Sequence, residues 1–328
     1  MNREGSASIV VLSVLLFLTA LFLGAVTFVE LSAHGLRRSQ DQHAQVQALR
    51  KSAEAAVAAL LSDPTPFADA PTDPVWSTLA LPRDDQTRVL LEDVSSRLGL
   101  NWVRKELLED LGVLKPGRTV QELQQFREDT GIHLELEPAF TPFVDGQDLA
   151  EWFTPYGWFN INLTDEFVLR KLHLQRGADL QAAESFRIMV QQVRTQRQLL
   201  KPDALKEFLG DENYRLLFPV VNAEAPMNVH FVPQRVLEGL CKHYDLPREA
   251  AERIVAARRG AELTQADLQT LLGSTDGKRP LEPFLGLKTW FWRITIERGQ
   301  QRLTWIVARL PREDGVPEFR RVEERLEP

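Results

Sequence analysis

The sequence predicts an α+β protein in which a long N-terminal transmembrane helix precedes a small antiparallel sheet, with an all-α domain inserted between the strands. Three observations support this prediction: an uncharged apolar segment at residues 6–29, two strand-like runs near the C-terminus, and an internal repeat in the middle of the chain. The predicted divisions of the chain are residues 1–5, 6–61, 62–94, 95–286 and 287–328.

The apolar segment at residues 6–29 is rich in Val, Leu and Phe and is followed by Glu30. A helix of this length spans about 36 Å, and the hydrocarbon core of a bilayer is about 30 Å thick. A cleavable signal peptide is the alternative, but its apolar core is typically about 7–15 residues long. Beyond Glu30, apolar residues recur at helical spacing, which extends the predicted helix to about Leu61. A membrane anchor followed by a separate helix is the less economical interpretation.

The composition favours a globular protein and argues against several kinds of binding site. With 328 residues, 44% of them hydrophobic and 26% charged, the chain has room for two compact units. Its net charge of −7 argues against a broad nucleic-acid surface, because nonspecific affinity for phosphates depends on Lys and Arg. The single cysteine, Cys241, excludes an intrachain disulfide and a cysteine-based zinc site, and its position in a predicted helix predicts a buried side chain.

Strand signals lie on both sides of the middle of the chain. Residues 87–94 predict a short strand, and residues 289–309 predict a β-hairpin closed at Gly299-Gln300. Residues 319–326 are charged and predict either a last edge strand or a frayed tail. One face of the first hairpin strand is predicted to carry large apolar residues, namely Trp290, Trp292, Ile294 and Ile296.

Local signals divide much of the N-terminal half into linker, helix, strand and loop. Five prolines within residues 62–83 predict a linker. Thr119 and Glu122 have the spacing of a capping box and predict the start of a helix. The alternation of apolar and polar residues at 132–136 predicts a short strand, and residues 140–157, rich in Pro, Gly and aromatic residues, predict a loop.

The middle of the chain aligns with itself. Residues 160–172 match residues 228–240 at an initial Asn, at the aliphatic residue that follows, and at a closing Val-Leu-x-x-Leu. The alignment resumes downstream, where Arg187 aligns with Arg253. A recurring segment of this size predicts two copies of one small structural unit.

The two predicted copies lie at about residues 158–210 and 222–273. Each predicts a turn and three short helices, the last ending at a glycine, an arrangement of the helix-hairpin-helix or SAM-like kind. Helix-hairpin-helix units often bind nucleic-acid phosphates through a glycine-containing turn, so a membrane-tethered protein for DNA binding or uptake is an alternative function. The corresponding turn at residues 241–247 has no glycine and places Asp245 where phosphate would lie, which argues against that alternative.

The N-terminus resembles that of type IV pilin-like proteins, in which a short charged leader ends in glycine and an unbroken apolar helix follows. The resemblance implies cleavage by a prepilin peptidase between Gly5 and Ser6. Most members of that superfamily carry a glutamate as the fifth mature residue, which pairs with the terminal amine of a neighbouring subunit. This chain has Val10 there, a departure shared with the K-type minor pseudopilins (general secretion pathway protein K) of type II secretion.

Four segments of the predicted inserted domain resemble the same K-type family, at residues 201–210 (KPDALKEFLG), 213–220 (NYRLLFPV), 228–240 and 250–260 (AAERIVAARRG). Leu100 and Asn101 match a further turn of that family, where Gly99 replaces the usual first asparagine. His230 and Val232 depart from the pattern of the third segment.

The resemblance implies a minor pseudopilin that caps the tip of the type II secretion pseudopilus and helps to initiate its assembly. The implied partners are the I- and J-type minor pseudopilins through their N-terminal helices, the prepilin peptidase, the assembly platform of the inner membrane and the lipid bilayer. No nucleic acid is expected as a partner. Val10 would be a filament contact, in a single-pass protein of the bacterial inner membrane whose globular part is periplasmic.

Sites for chemistry are few. No nucleophile motif, phosphate loop, paired-His zinc pattern or nucleotide fingerprint occurs, so no catalytic or cofactor-binding residue is predicted and the chain is expected not to be an enzyme. The resemblance implies calcium in some family members, and the candidate ligands in this chain are Asp145, Asp148 and Asp276, which stand in carboxylate-bearing loops. Solvated turns are the simpler interpretation of these loops.

An aromatic cluster precedes the first predicted repeat. Trp152, Tyr156, Trp158 and Phe159 are predicted to pack in the core, and an exposed patch for a partner is the alternative.

Overall fold

The structure, a computed structural model, describes the chain apart from residues 1–2, 64, 66–67, 74–75, 77–86, 197, 261, 274–279, 313–315 and 328. The chain divides into two compact units, Met1–Ser52 and Ala53–Pro328. The described α-helices are α1 (Arg3–Leu61), α2 (Lys105–Leu111), α3 (Val120–Thr130), α4 (Leu136–Phe140), α5 (Gly146–Trp152), α6 (Glu166–Gln175), α7 (Leu180–Thr195), α8 (Leu205–Leu217), α9 (Gln234–His243), α10 (Glu249–Gly260) and α11 (Gln265–Leu272). The described strands are β1 (Thr87–Asp93), β2 (Leu98–Gly99), β3 (Phe153–Thr154), β4 (Phe159–Asn160), β5 (Val221–Asn222), β6 (Met227–Asn228), β7 (Leu285–Gly286), β8 (Phe291–Arg298), β9 (Gln301–Leu310) and β10 (Glu318–Glu327).

Helix α1 confirms the prediction of one continuous helix that ends at Leu61. From Leu15 onward its apolar part is exposed, with Phe22 and Phe28 at 69% and 71% of their maximal exposure. The hydroxyls of Thr19 and Thr27 donate to carbonyls one turn earlier, over 2.7 and 2.9 Å, so these polar groups are satisfied within the helix. Its most apolar 18-residue stretch has a mean hydropathy of 2.1. By length and composition, α1 is therefore a candidate membrane span.

The four-stranded sheet has the order β1-β8-β9-β10, and all neighbouring strands are antiparallel. β8 and β9 confirm the predicted hairpin, in which Gly299 has a φ of 60°. Trp292, Ile294 and Ile296 share one face and have no exposed surface. β10 forms the last edge strand, which was one of the two predicted alternatives for this region.

Three consecutive segments of the same build lie between β1 and β8. We name them module A (98–154), module B (159–222) and module C (227–286). Each opens and closes with two-residue strands that pair in parallel, with the partners Leu98 and Phe153, Phe159 and Val221, and Met227 and Leu285. Modules B and C overlap the two predicted copies at about 158–210 and 222–273, and module A was not predicted. A kinship with helix-hairpin-helix or SAM-like units stays a prediction.

The opening turns of the three modules have the same hydrogen bonds. In each, the backbone N–H groups three and four residues after the strand end donate to the carbonyl of its last residue, over 2.8 to 3.0 Å. The last strand residues are Gly99, Asn160 and Asn228. The aligned hexapeptides, LGLNWV, FNINLT and MNVHFV, share apolar residues at the first, third and fifth positions.

An arginine near the end of the second helix satisfies the turn carbonyls in each module. Arg127 in module A donates to the carbonyls of Leu100 and Val103, over 3.4 and 2.7 Å. Arg194 in module B and Arg258 in module C donate to the two equivalent carbonyls of their own turns. The predicted alignment of Arg187 with Arg253 is therefore wrong, because the equivalent arginines lie further along each helix.

The residue two positions after the opening strand holds the loop that follows the second helix. The Asn101 side chain exchanges two hydrogen bonds with the backbone of His133, over 2.8 and 3.0 Å. Asn162 does the same with Leu200, both over 2.9 Å. In module C, His230 replaces the asparagine and accepts one hydrogen bond, from the N–H of Leu263. The modules thus share their internal supports as well as their order of elements.

Two local predictions in module A are wrong. Residues 132–136 form no strand, and Ile132 and Leu134 are 45% and 53% exposed. Three alternating apolar residues are too few to specify a strand when no neighbouring strand is there to pair with them. The predicted loop at 140–157 contains helix α5, because Leu149 and Trp152 bury one face of it against the core.

Gly239 on α9 lies where module C packs on module A. A Cβ at this position would lie 2.5 Å from Cδ2 of Leu111 and 2.6 Å from the ring of Trp152. We expect Gly239→Ala to lower the free energy of unfolding by about 1–3 kcal/mol, because overpacking outweighs the helix preference of alanine. Urea denaturation of the full chain in micelles, followed by tryptophan fluorescence, measures the change. Gly146→Ala is the matched control, since nothing lies within 4 Å of its added Cβ, and equal effects of the two substitutions would contradict the expectation.

Candidate functional site

Buried polar side chains are concentrated where the modules meet the sheet. We call this cluster the joint and define it by Asp69, Asp93, Asn228, Thr289 and Arg309, none of which is more than 8% exposed. They come from the linker, the end of β1, the end of β6, the residue pair before β8, and β9. Segments far apart in the sequence thus place their polar groups at one point.

An ion pair lies at the centre of the joint. The Nη1 and Nη2 atoms of Arg309 donate to the two carboxylate oxygens of Asp69, over 2.9 and 3.0 Å. The guanidinium also lies 4.6 Å from the ring centre of Trp292. Burial raises the pKa of Asp69 to about 6, while the charge of Arg309 acts in the opposite direction. The paired geometry is bidentate, the arrangement that holds a buried carboxylate in place.

A second carboxylate, that of Asp93, fastens the end of β1. Its Oδ1 accepts from the N–H groups of Ser95 and Ser96, over 2.8 and 2.9 Å. Its Oδ2 accepts from the hydroxyls of Ser96 and Thr289, over 2.8 and 2.7 Å. Burial raises the pKa of Asp93, and these hydrogen bonds oppose the shift. The chain therefore leaves the sheet through a fixed turn, not through a free linker.

Asn228 connects module C to the same cluster. Its Nδ2 lies 2.7 Å from the carbonyl of Asp69, 3.0 Å from that of Leu287 and 3.1 Å from the hydroxyl of Thr289. Its backbone N–H donates to Oγ of Ser96, over 2.9 Å. The joint thus ties the linker, the sheet and module C together, a structural task that needs no reactive group. Sequence reasoning missed the joint, and the place of Asn228 in the repeat was the one signal for it.

The predicted aromatic cluster is mostly buried, and one of its members contacts the joint. Trp152, Tyr156 and Phe159 are buried, which confirms the prediction of core packing. The Tyr156 hydroxyl donates to Oε2 of Glu323, over 2.8 Å, and burial raises its pKa. Half-buried Trp158 donates through Nε1 to the carbonyl of Arg309, over 3.0 Å.

The turn that would bind phosphate in a helix-hairpin-helix unit is closed by its own hydrogen bonds. The N–H groups of Tyr244, Asp245 and Leu246 donate to carbonyls of the preceding helix, over 2.8 to 3.3 Å. Asp245 has a φ of 54°, a conformation that glycine usually supplies. Cys241, just before this turn, is 1% exposed, and burial raises the pKa of its thiol. This geometry presents no backbone donors for a phosphate.

Two of the predicted calcium ligands are paired with cations in the structure. Asp145 lies 3.3 Å from Nζ of Lys115, and Asp148 lies 3.0 Å from Nη2 of Arg235. Asp276 lies outside the described residues. Across the described part of the chain, no group of three His, Cys, Asp or Glu side chains is placed to hold a metal ion. Calcium binding stays a prediction from resemblance.

The predicted processing residues lie on the backbone of α1. This helix begins at Arg3, so it includes Gly5, Ser6 and Val10. Three residues of the predicted leader are therefore helical in the uncut chain. Cleavage after Gly5 and a filament contact at Val10 stay predictions.

We expect His230 to make the stability of module C dependent on pH. His230 is 7% exposed, and its Nε2 accepts from the N–H of Leu263. Burial, followed by the charge of Arg258, lowers its pKa from 6.5 to about 4. The unfolded chain takes up a proton near pH 6.5 and the folded chain only near pH 4. The free energy of unfolding should therefore fall by up to about 3 kcal/mol as the pH falls through this window.

His230→Asn tests this expectation, because modules A and B carry asparagine at the equivalent position. We expect the variant to match the parent within about 1 kcal/mol at pH 7.5 and to be the more stable of the two at pH 4.5, in urea denaturation of the full chain. His34→Asn, on the exposed surface of α1, is the control and should leave the pH dependence unchanged. An unaltered acid loss in His230→Asn would refute the assignment.

The chain is similar to a known protein in structure but not in sequence. No protein-family profile matches the chain, and no curated protein matches it. The chain is similar in structure to a chain in the crystal structure of the GspK-GspI-GspJ complex from the type 2 secretion system of enterotoxigenic Escherichia coli. The two are 15% identical with a TM-score of 0.40, and the alignment covers 89% of this chain and 99% of that chain.

Proposed function

We propose that the protein is a K-type minor pseudopilin, which caps the tip of a type II secretion pseudopilus and takes part in starting its assembly. The observation that carries the proposal is the insertion of modules A to C between two neighbouring strands. β1 and β8 pair with each other, with Asp93 opposite Trp292, yet residues 94–290 lie between them in the sequence. A small sheet with so large an insert, on a chain with an N-terminal apolar helix, suits a specialised filament subunit.

The joint explains why the insert would matter for position in a filament. Its buried hydrogen bonds hold module C on the sheet, so the insert would be a fixed body beside the sheet and not a mobile appendage. A fixed body of this size would obstruct the stacking of a further subunit above it. Such a subunit would belong at an end of the filament.

Val10 supports the same position. A buried glutamate at this depth costs about 2.5–3.5 kcal/mol and needs a cationic partner, which the family finds in the terminal amine of a neighbouring subunit. A valine at this depth has no such insertion cost and needs no cationic partner. A tip subunit has no neighbour above it to supply that amine, so the substitution fits the tip.

The exposed apolar part of α1 supports a place in the inner membrane. Contiguous apolar surface of this extent is covered by lipid or by other helices in stable proteins. We propose I- and J-type minor pseudopilins as the partners of α1, the prepilin peptidase as the processing enzyme, and the inner-membrane platform as the assembly site, with the rest of the chain in the periplasm. No enzymatic activity and no nucleic-acid partner are part of this proposal.

N-terminal sequencing tests the processing step. After co-expression of the full chain with a prepilin peptidase, we expect the mature protein to start at Ser6, and Gly5→Leu to leave Met1 in place. Gly24→Leu, a glycine substitution further along α1 where nothing lies within 4 Å of the added Cβ, is the matched control and should be processed normally. A chain that still starts at Met1 in the presence of the peptidase would contradict the proposal.

Photo-crosslinking tests the partners. A photoreactive residue at position 10 or 22, in cells that carry the secretion system, is expected to capture I- or J-type minor pseudopilins. The same residue at position 248, on a described exposed side chain of module C, is the control and should capture neither. Crosslinks from α1 to lipid alone would contradict the proposed assembly.

A further inference from the structure

We propose that a cavity where the three modules meet binds an amphipathic carboxylate, with the carboxylate on Arg104 and one aromatic or branched aliphatic group between the surrounding rings. The proposal does not depend on the pseudopilin role. The carboxylate could belong to a free small acid or to the C-terminus of a polypeptide, and the experiment below distinguishes the two.

The cavity has a volume of about 250 Å³ and receives residues from all three modules. Its apolar lining comes from Trp102 and Leu107 of module A, Leu163 of module B, and Tyr244 and Phe284 of module C. The rings of Tyr244 and Phe284 meet edge to face at 5.9 Å. A dry cavity of about 150 Å³ is enough to hold benzene, so this one has room for a phenyl group with a carboxylate attached.

Arg104 supplies the positive charge at this cavity. Its Nη2 donates to the carbonyl of Asn162 over 2.5 Å, and its Nε is buried without a hydrogen-bond partner. Among the described residues, no carboxylate lies within ion-pair distance of its guanidinium. The charge of Arg104 also acts on a neighbouring arginine, Arg194. Burial lowers the pKa of Arg194, and the repulsion from Arg104 lowers it further, to about 10. The Arg104 guanidinium therefore has no direct carboxylate partner in the described part of the chain.

The position of Arg104 opposes the local rule for helix starts. It is the N-terminal cap of α2, and its side chain makes no capping hydrogen bond. Modules B and C have Asp165 and Pro233 at the equivalent position, and Asp165 caps its helix. A cation at the N-terminus of a helix is unfavourable, while carboxylates are favourable there. Departures of this kind are expected where function requires the residue.

The other polar groups at the cavity define how a ligand would be oriented. The Tyr244 hydroxyl has no hydrogen-bond partner among the described residues and is available to an acceptor. Glu106 is exposed and lines the same cavity, so its charge disfavours an anion on its side. His243 is held by the carboxylate of Asp110. A bound carboxylate would thus lie towards Arg104 and Tyr244, and away from Glu106.

Ligand-detected NMR titration of the full chain in nanodiscs of zwitterionic lipid tests the proposal. N-acetylphenylalanine is expected to bind with a Kd on the order of 1 mM, as is usual for a ligand of this size. N-acetylphenylalaninamide, which lacks the charge, is expected to bind at least about tenfold more weakly. An octapeptide that ends in phenylalanine identifies the source: tighter binding than the free acid assigns the site to a polypeptide C-terminus, and weaker binding assigns it to a small acid.

Four variants make the test specific. Arg104→Gln should weaken binding at least about tenfold, and Arg104→Lys should weaken it less, because the charge remains without the planar fork. Lys105→Gln, the exposed neighbour, changes the net charge equally and should leave the Kd within about twofold. Glu106→Gln, which removes the opposing charge, should tighten binding about two- to fivefold. Circular dichroism checks that each variant is folded.

The proposal is overturned by any of three results. The first is that neither N-acetylphenylalanine nor the octapeptide binds at about 20 mM. The second is that N-acetylphenylalanine and its amide bind with equal affinity. The third is that Arg104→Gln and Lys105→Gln change the Kd equally. Should Arg104→Gln fail to fold, two measurements still test the proposal. The amide should bind more weakly than the acid, and Glu106→Gln should bind the acid more tightly than the parent does.

Discussion

Replacing Arg309 by methionine is expected to lower the free energy of unfolding by about 3–5 kcal/mol. The substitution keeps much of the apolar volume that packs against Trp292 but removes the bidentate partner of Asp69. Both partners of this pair are almost fully buried, with side-chain exposures of 4% and 1%. The remaining carboxylate would keep the hydrogen bond from the Thr289 N–H but would have no cationic partner in the joint. Urea denaturation of the full chain in micelles at pH 7.5 measures the loss.

Two variants separate this effect from lost packing. Adding Asp69→Asn to Arg309→Met removes both charges and should recover about half of the loss. Arg302→Met breaks the exposed pair with Glu297, where the arginine side chain is 51% exposed, and should cost less than about 1 kcal/mol. Equal costs at positions 302 and 309 would show that burial does not determine the strength of the joint.

The pH dependence of the loss provides an independent check. Because burial raises the pKa of Asp69 from 3.8 to about 6, the folded chain takes up a proton there before the unfolded chain does. The carboxylate is therefore charged in the folded protein only above about pH 6. The cost of Arg309→Met should be largest above this pH and smaller at pH 4.5, since a neutral Asp69 has less need of a cation. A cost that is independent of pH would count against the ion pair as its cause.

Gly99→Asn is expected to lower the free energy of unfolding by at least about 3 kcal/mol, even though modules B and C carry asparagine at this position. A Cβ on Gly99 would lie 1.9 Å from Nε1 of Trp102 and 2.1 Å from its Cε2. Trp102 is 3% exposed and belongs to the core of the modules. The ring must leave its site to admit the new side chain, so most of its burial would be lost. The measurement is the same urea denaturation.

A second substitution should relieve this clash. Modules B and C combine their asparagines with smaller residues, Leu163 and Phe231, at the position of Trp102. Trp102→Leu alone should cost about 2–4 kcal/mol, because a large buried side chain is truncated. The double variant should be more stable than the sum of the two losses predicts, by at least about 1 kcal/mol. Strict additivity would argue that the turns of the modules are not equivalent.

Predictions from local sequence were accurate where neighbouring residues determine the structure. The capping box of Thr119 and Glu122 is present, with both reciprocal hydrogen bonds at 2.8 and 3.2 Å, because all its atoms lie within one turn of helix. The hairpin at Gly299 was likewise predicted, since a short turn and two alternating runs define it. The strand predicted at 132–136 failed because a strand needs a partner, and nothing local indicates whether one exists.

Module A shows a second limit of sequence reasoning. The hexapeptide at 98–103 shares the apolar pattern of those at 159–164 and 227–232. It has Gly99 in place of the asparagine by which the other two hexapeptides were recognised as copies. What the modules share is a set of backbone carbonyls and the arginine that reaches them. Hydrogen bonds to backbone atoms require a fold and not a particular residue, so identity between the sequences can be lost while the geometry stays.

The sequence by itself determined the membrane-length helix, the hairpin and the helix caps, because each depends on a periodicity or spacing within a few residues. The joint was decided only by the tertiary structure. Asp69 and Arg309 are 240 positions apart, and neither lies in a pattern that indicates the other. A buried pair forms where packing removes water from both groups at once, and that condition exists only after the modules and the sheet have come together.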